Sequence, residues 1–322
     1  MTEGFARARR FAVVGALFAV LAFFAAAAPG FATLANVERV LVNNFALLAI
    51  AALGMTLALS IGAIDLSLGT SVDVASLVFV AAIAHRLGVA PAALAGLVAA
   101  FAVGAFNALL VARLGIAPFL ATLGTLFIGQ TIQQLATGGG QPIYLLSLSL
   151  PPAFDAIAHG STAGIAHPLW IVALLAFALH IALARSTFGR QASALGAQPG
   201  VALYSGLPVG ALTALTLIAS ALIYGVAGIV LSSTVKSYAP QAGNAYLLNA
   251  IGATFIGTTL SAAGRPNVGG TLVGVLLLGF AANGLLLIGW NFYWQQVATG
   301  VLIFGTLALG ASAQRGRLAD AH

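Results

Sequence analysis

The chain has 322 residues, of which 61% are hydrophobic and 6% charged, with a mean hydropathy of +1.08. A soluble globule of that composition lacks the polar surface to cover itself, so the sequence reads as an all-α polytopic membrane protein with no soluble domain left over. The net charge of +6 gathers into no basic patch with interleaved aromatics, which excludes a nucleic-acid partner; the absence of cysteine excludes disulfides and thiolate sites; and histidines 85, 159, 167, 180 and 322 share no ligand spacing, so neither a metal nor a cofactor is expected.

Apolar segments of roughly 20 residues, the length that crosses a hydrocarbon core about 30 Å thick, recur along the chain. Arg7, Arg9 and Arg10 precede the first, Phe11 to Ala28, which has the charge of a signal peptide but the length of a span. An uncleaved first helix is expected, ended by Pro29 and Gly30. Residues 31 to 39 read as a short external segment, and a second span from Val40 to about Ser60 leads into GAIDLSLG at 62–69. There a carboxylate, Asp65, interrupts an apolar run. A lipid-facing Asp at bilayer depth costs roughly 2.5 to 3.5 kcal/mol. Asp65 therefore marks either a helix break that is buried in protein or lines a pathway, or a turn at the water interface.

The third span runs from Leu66 to about Ala84. Pro91 opens a fourth, to Arg113, in which Gly96, Ala100 and Gly104 recur every four residues as a close-packing face. The fifth, from Pro118, carries Thr122, Thr125, Gln130, Gln133 and Gln134, and its later turns are unusually polar for a lipid-facing helix. Gly138 to Pro168 reads as an external loop. The sixth span, Leu169 to Ala184, delivers the chain to Arg185, Arg190 and the longest cytoplasmic connection, to Pro208. A seventh covers Val209 to Leu231, followed by an outer loop with Lys236, Tyr238 and Pro240. The eighth starts near Tyr246, the ninth ends near Gly289, and the tenth ends near Ala311 after an aromatic interfacial turn at Trp290, Asn291 and Phe292.

Ten crossings put both termini in the cytoplasm. Arg7, Arg9, Arg10, Arg113, Arg185, Arg190, Arg265, Arg315 and Arg317 then lie inside, with Arg39, Arg86 and Lys236 outside, as the positive-inside bias requires. A short echo relates NALLVARLG from Asn107 to NGLLLIG from Asn283. On this topology the two run in opposite directions, as inverted repeats in transporters do, although a Leu/Ala/Gly-rich chain also yields such matches by chance. No nucleophile–base pair and no GxxxxGK[ST] phosphate loop is present, so the chain has no means of hydrolysing ATP alone and does not read as an enzyme. Asp65 and Asp73 are thin material for a proton relay.

The stretch GMTLALSIGAIDLSLGTSVDVAS at 54–76 resembles the GMTxVxxxGGIDLSVGS signature of the ribose-type sugar ABC importer permeases. Four further stretches are similar to the same family in the same order: GIAPFLATLGTLFIGQTI at 115–132, FGRQASALGA at 188–197, NAIGATFIGTT at 249–259, and GTLVGVLLLGFAANGLLLIGWNFYWQQVATGVLI at 270–303. Together they cover nearly the whole chain.

The resemblance implies a transmembrane permease subunit in a bacterial inner membrane, working as a homodimer or beside a paralogous permease. It would import a pentose or hexose delivered by a periplasmic sugar-binding protein, with ATP hydrolysed by a separate cytoplasmic ABC ATPase. The domain reading is a cytoplasmic tail at 1–10, one permease domain at 11–311 with an ATPase-coupling loop at about 185–208, and a cytoplasmic tail at 312–322. The coupling candidates are Phe188, Gly189, Arg190, Gly196, Gln198, Pro199 and Gly206.

A solute that must also leave needs weakly binding hydroxyl and amide groups. The pathway candidates are Asp65, Ser67, Phe119, Thr122, Thr125, Gln130, Asn249 and Asn283. The plain alternative is that such Ser, Thr and Asn residues join helices, at about 0.6 kcal/mol per contact. For Phe119, Trp290, Tyr293 and Trp294 the alternative is interfacial anchoring.

Two departures from the family pattern stand out. Where the family reads GGNEEAARLSGI this chain has GAQPGVALYSGL, so Pro199 and Gly200 replace an acidic pair, and a proline there disfavours an unbroken helix. The family's ELDAI becomes LLNAI, with Leu247 and Asn249 in place of acids. The rival readings are a branched-chain amino-acid ABC permease, whose members share the Ile-Asp-Leu-Ser turn, an ion-coupled secondary carrier, and a membrane scaffold.

Overall fold

Hydrocarbon offers no partner to backbone N–H and C=O groups, so a spanning chain must satisfy them internally, and the architecture is accordingly helical. The computed structural model describes residues 2–305 apart from 146–148, 262, 292 and 295, with side chains from residue 13 onward. The side chains of Arg7, Arg9 and Arg10, residue Phe292, the end of the tenth span at Ala311 and the 312–322 tail with Arg315 and Arg317 lie outside the described residues.

In chain order the helices are α1 Thr2–Ala27, α2 Leu34–Ser60, α3 Leu68–Ala84, α4 Val89–Arg113, α5 Pro118–Ala136, α6 Pro152–His159, α7 His167–Arg185, α8 Thr187–Ala197, α9 Pro199–Tyr204, α10 Val209–Val235, α11 Asn244–Leu260, α12 Val268–Leu287 and α13 Gln296–Gly305. Helices α2, α4 and α7 each contain a π-helical stretch, at Val40–Phe45, Leu109–Arg113 and Ile181–Arg185. Strand β1 Ile143–Tyr144 pairs antiparallel with β4 Ser237–Tyr238, and β2 Ser161–Thr162 with β3 Ile165–Ala166. By length and composition α2, α4, α7, α10 and α12 are each long and apolar enough to cross a membrane, and shorter apolar helices join them. This is an all-α polytopic membrane protein whose apolar helices are consistent with eight to ten crossings.

Three expected connections are more structured than the sequence implied. Residues 31–39 hold a helix start, where Thr33 Oγ1 accepts from the Asn36 N–H and α2 runs on without a break into the span. The 138–168 segment contains α6, whose Phe154 and Ala158 are buried one turn apart while Pro152 fills the first turn, where a missing N–H costs nothing. The 185–208 segment is the helix pair α8 and α9, split at Gln198 because Pro199 starts a new helix at its first turn.

The chain divides into two compact units, Met1–Ala52 with Asn249–His322, and Leu53–Leu248. In the first, α1 and the turn after it pack on α12 through Phe24, Phe31 and Phe280, and the Phe24 ring leaves no room for a side chain at Gly284. In the second, α3, α4 and α10 pack on one another, and small residues let the backbones meet. A methyl on Gly96 would stand 2.8 Å from the Ala75 carbonyl oxygen, and one on Gly104 2.9 Å from the Ile218 Cα. The Phe79 and Phe154 rings stack at 5.6 Å, holding α6 on α3.

Candidate solute-pathway and coupling site

The second unit contains the interrupted stretch. Helix α2 ends at Ser60 and α3 begins at Leu68, and Gly62, with φ +80°, makes the reversal that a side chain would strain. Gly69 lies inside α3, where a side chain would collide with the Asn244 amide.

The turn is buried in protein, with Asp65 1% exposed and Ser67 fully covered. Asp65 Oδ1 accepts from the Ser67 N–H at 2.9 Å and from the Ser67 hydroxyl at 2.6 Å. Ser67 Oγ accepts from Asn107 Nδ2 on α4 at 2.7 Å, and Asn107 Oδ1 accepts from the Thr125 hydroxyl on α5 at 2.6 Å. Thr122, one turn earlier on α5, accepts from the Leu66 N–H at 3.0 Å. A polar chain thus ties the turn to α4 and α5 inside an apolar bundle, where each missing partner would leave a desolvated group. Among the described residues, Asp65 Oδ2 and the Tyr224 hydroxyl are both buried without a hydrogen-bond partner.

Of the pathway candidates, the structure brings together Asp65, Ser67, Thr122 and Thr125. Gln130 is half-buried further along α5 and outside that chain, and Phe119 is 48% exposed at the start of the same helix. Asn249 and Asn283 belong to the first unit. There Asn283 forms a reciprocal amide pair with Asn36, at 2.9 and 3.3 Å. Sequence reasoning missed Asn107 and Tyr224 as members of the site. A lone amide in an otherwise apolar span was the available signal for Asn107.

Helices α8 and α9 pack directly on the same turn. Ile61 and Ala63, which flank Gly62, form one apolar cluster with Ala192 and Leu195 of α8, Ala202 of α9 and Leu212 of α10, with Phe188 packed against it. Ser186 caps α8 by accepting from the Gly189 N–H at 3.2 Å, and Gly189 is buried so tightly against Leu183 that it has a structural role. The opposite face is open: Arg190, Gln198, Pro199 and Gly206 are exposed, as are Val201, Leu203 and Tyr204 at 57%, 60% and 92%. Among the described residues no group of His, Cys, Asp or Glu is placed to hold a metal ion.

The family model for the branched-chain amino acid transport system / permease component matches residues 36–307. The chain belongs to this permease family. Within it, the permease is 30% identical to the ribose import permease protein RbsC of Escherichia coli (strain K12) over 288 residues, 89% of each chain. It is 30% identical to the D-allose transport system permease protein AlsC of the same strain over 90% of this chain and 88% of that one. To the L-arabinose ABC transporter permease protein AraH of Azospirillum brasilense it is 29% identical over 90% and 84%. No solved structure matches the chain. The permease is thus of the sugar-type ABC class, a multi-pass subunit of the bacterial inner membrane and a transport component rather than a catalyst. Membership in the family implies the usual importer parts, a permease with an ATPase and a binding protein.

Proposed function

We propose that the permease imports a monosaccharide handed over by a periplasmic binding protein, and that a separate cytoplasmic ATPase drives it through α8 and α9. The observation that carries this reading is the cluster joining Ile61 and Ala63 to Ala192, Leu195 and Ala202. One face of the α8–α9 pair is packed on the Asp65 turn and the other is exposed, the arrangement a transmission element needs. Closure of the ATPase subunits pushes a short rigid helix pair, which displaces the turn and the α4 and α5 contacts bonded to it.

Asp65 Oδ2 and the Tyr224 hydroxyl supply an acceptor and a donor for a sugar hydroxyl in the open state, beside Ser67, Thr122 and Thr125. Phe119, Gln130, Asn249 and Asn283 stay as wider pathway candidates. Relatives carrying ribose, arabinose and allose in their names support a pentose or hexose cargo. A homodimer or a pair with a paralogous permease, cytoplasmic termini and the 1–10, 11–311 and 312–322 domain boundaries complete the proposal.

The test is copurification from native membranes followed by ATPase assay. The proposal expects an ABC ATPase held through α8 and α9, and hydrolysis uncoupled from uptake in Arg190→Glu. An intact complex with wild-type coupling in that variant removes Arg190 from the contact. The family description favours one second reading, a branched-chain amino acid as cargo. Uptake competed by leucine and not by monosaccharides would select it.

A further inference from the structure

The segment from Lys236 to Gly243, between α10 and α11, is tied down at two points by buried side chains that the pathway does not use. Asp73 on α3, 1% exposed, accepts from the Gly243 N–H through Oδ1 at 2.6 Å. Gln133 on α5, fully covered, accepts through Oε1 from the Tyr238 hydroxyl at 3.2 Å and from the Gln241 N–H at 2.9 Å. Two non-glycine residues of the segment lie in the left-handed region, Lys236 at φ +52° and Gln241 at φ +63°. Such backbone persists only where its surroundings hold it.

The ties are incomplete. Among the described residues Asn244 Oδ1 is buried without a hydrogen-bond partner, and Asp73 Oδ2 and Gln133 Nε2, whose side chains neighbour one another, complete no well-formed bond. Polar atoms left under-bonded in this way favour a state in which water or a solute hydroxyl reaches them. Tyr238 shares this environment: burial, and after it the Asp73 charge, pushes its phenol above the ordinary range. The segment is also held by the β1–β4 pairing, by the Leu145 N–H donating to the Lys236 carbonyl at 3.0 Å, by the Tyr238 ring buried in one cluster with Phe79, Leu145 and Phe154, and by the Lys236–Asp155 ion pair at 2.7 Å, which is partly exposed and correspondingly weak.

We propose that Asp73 and Gln133 are positioning residues forming a clasp that holds the Lys236–Gly243 segment shut over α3 and α5, and that the clasp opens to admit solute from the outer side. The inference rests on the proposed orientation, which places Lys236 outside. Opening exchanges the Gly243, Tyr238 and Gln241 bonds for bonds to water or to the hydroxyls of the entering solute. Asn244 Oδ1, next in the chain after Gly243, gains a partner in the same movement.

The chain's lack of cysteine allows a direct test in right-side-out membrane vesicles holding the full-length permease. Val72, 1% exposed, is the reporter, because a methyl on Gly243 would stand 2.9 Å from its Cβ. Val72→Cys should resist a membrane-impermeant maleimide added outside. Adding Asp73→Ala or Gln133→Ala should speed labelling by about tenfold or more, the scale of a lost buried hydrogen bond to a charged or doubly bonded group. Asp73→Asn keeps an oxygen acceptor for the Gly243 N–H and should restore protection. Equal labelling of all variants, or labelling only in inverted vesicles, overturns the clasp. If Asp73→Ala does not accumulate, Gln133→Ala and Tyr238→Phe decide alone. A permease that labels as expected yet takes up no sugar supports the clasp and contradicts only the proposed cargo.

Discussion

Gly196 and Gly62 pass one another backbone to backbone: a methyl on Gly196 would stand 2.5 Å from the Ser60 carbonyl oxygen and 3.0 Å from the Gly62 nitrogen. This contact is where the exposed α8–α9 pair meets the Asp65 turn. Neither partner there is a flexible side chain that could swing aside, so any larger residue must move one segment off the other.

Gly196→Val should therefore separate the two activities of the assembled importer. ATP hydrolysis by the partner subunit is expected to continue while uptake falls by about tenfold or more, because displacing α8 by even a fraction of an ångström breaks a packed contact. Uptake and hydrolysis measured on the same proteoliposomes decide it. Loss of both in parallel would mean that the contact supports folding and transmits nothing.

Two glycines on α5 should respond oppositely to one substitution. Gly124 has nothing within 4 Å of an added methyl, whereas at Gly129 the methyl would be driven into the Thr70 side chain. Gly124→Ala is expected to hold or raise stability by about 0.4 to 1 kcal/mol through its effect on the unfolded chain. Gly129→Ala should lower it by about 1 to 3 kcal/mol through overpacking. Thermal unfolding of the purified permease in detergent reads both.

Asn107→Ala removes two links of the Asp65–Ser67–Asn107–Thr125 chain and leaves the Thr125 hydroxyl with only its bond to the Ala121 carbonyl. Interhelical bonds in membranes average about 0.6 kcal/mol and reach about 1.7, so a loss of about 1 to 3 kcal/mol is expected. Asn107→Leu, similar in size, should cost no less, since the loss is of polar partners rather than of volume. An unchanged melting temperature in both variants would show that the chain of bonds contributes nothing.

Asn36 and Asn283 face one another through reciprocal amide bonds in the first unit, and Asn36 also donates to the Phe31 carbonyl at 2.9 Å. A double-mutant cycle with alanine at both positions should give a coupling of about 0.5 to 2 kcal/mol. Additive losses would mean that the two amides do not depend on each other. Uptake by Asn283→Ala, corrected for protein amount, then reports whether this residue also meets the solute.

How much of this was legible in the sequence follows from what each signal depends on. The Gly96, Ala100 and Gly104 stripe depends on four-residue spacing alone, and its packing partners lie on α3 and α10. Asp65 was visible because a carboxylate in an apolar run is costly, and Pro199 because a ring at that position must start a new helix. Asn107 was not, since the sequence offers no way to see that its amide lies between Ser67 and Thr125, residues 40 positions before it and 18 after it. The helices in 31–39, 152–159 and 185–208 were hidden for a different reason. They are short, with α6, α8 and α9 of eight, eleven and six residues, so a search for membrane-length apolar runs passes over them. Asn283 was read as a pathway candidate on its polarity, while its amide partner Asn36 sat in a stretch taken as a surface connection.

The central claim is that this subunit passes a sugar across the membrane while another molecule spends the ATP. The most direct measurement is uptake of radiolabelled D-ribose, D-allose and L-arabinose into proteoliposomes holding the permease alone, or with its copurified ATPase and binding protein. The account predicts accumulation of one of these sugars only in the complete assembly and only with hydrolysable ATP. Accumulation by the permease alone, or driven by a proton or sodium gradient without nucleotide, would contradict it.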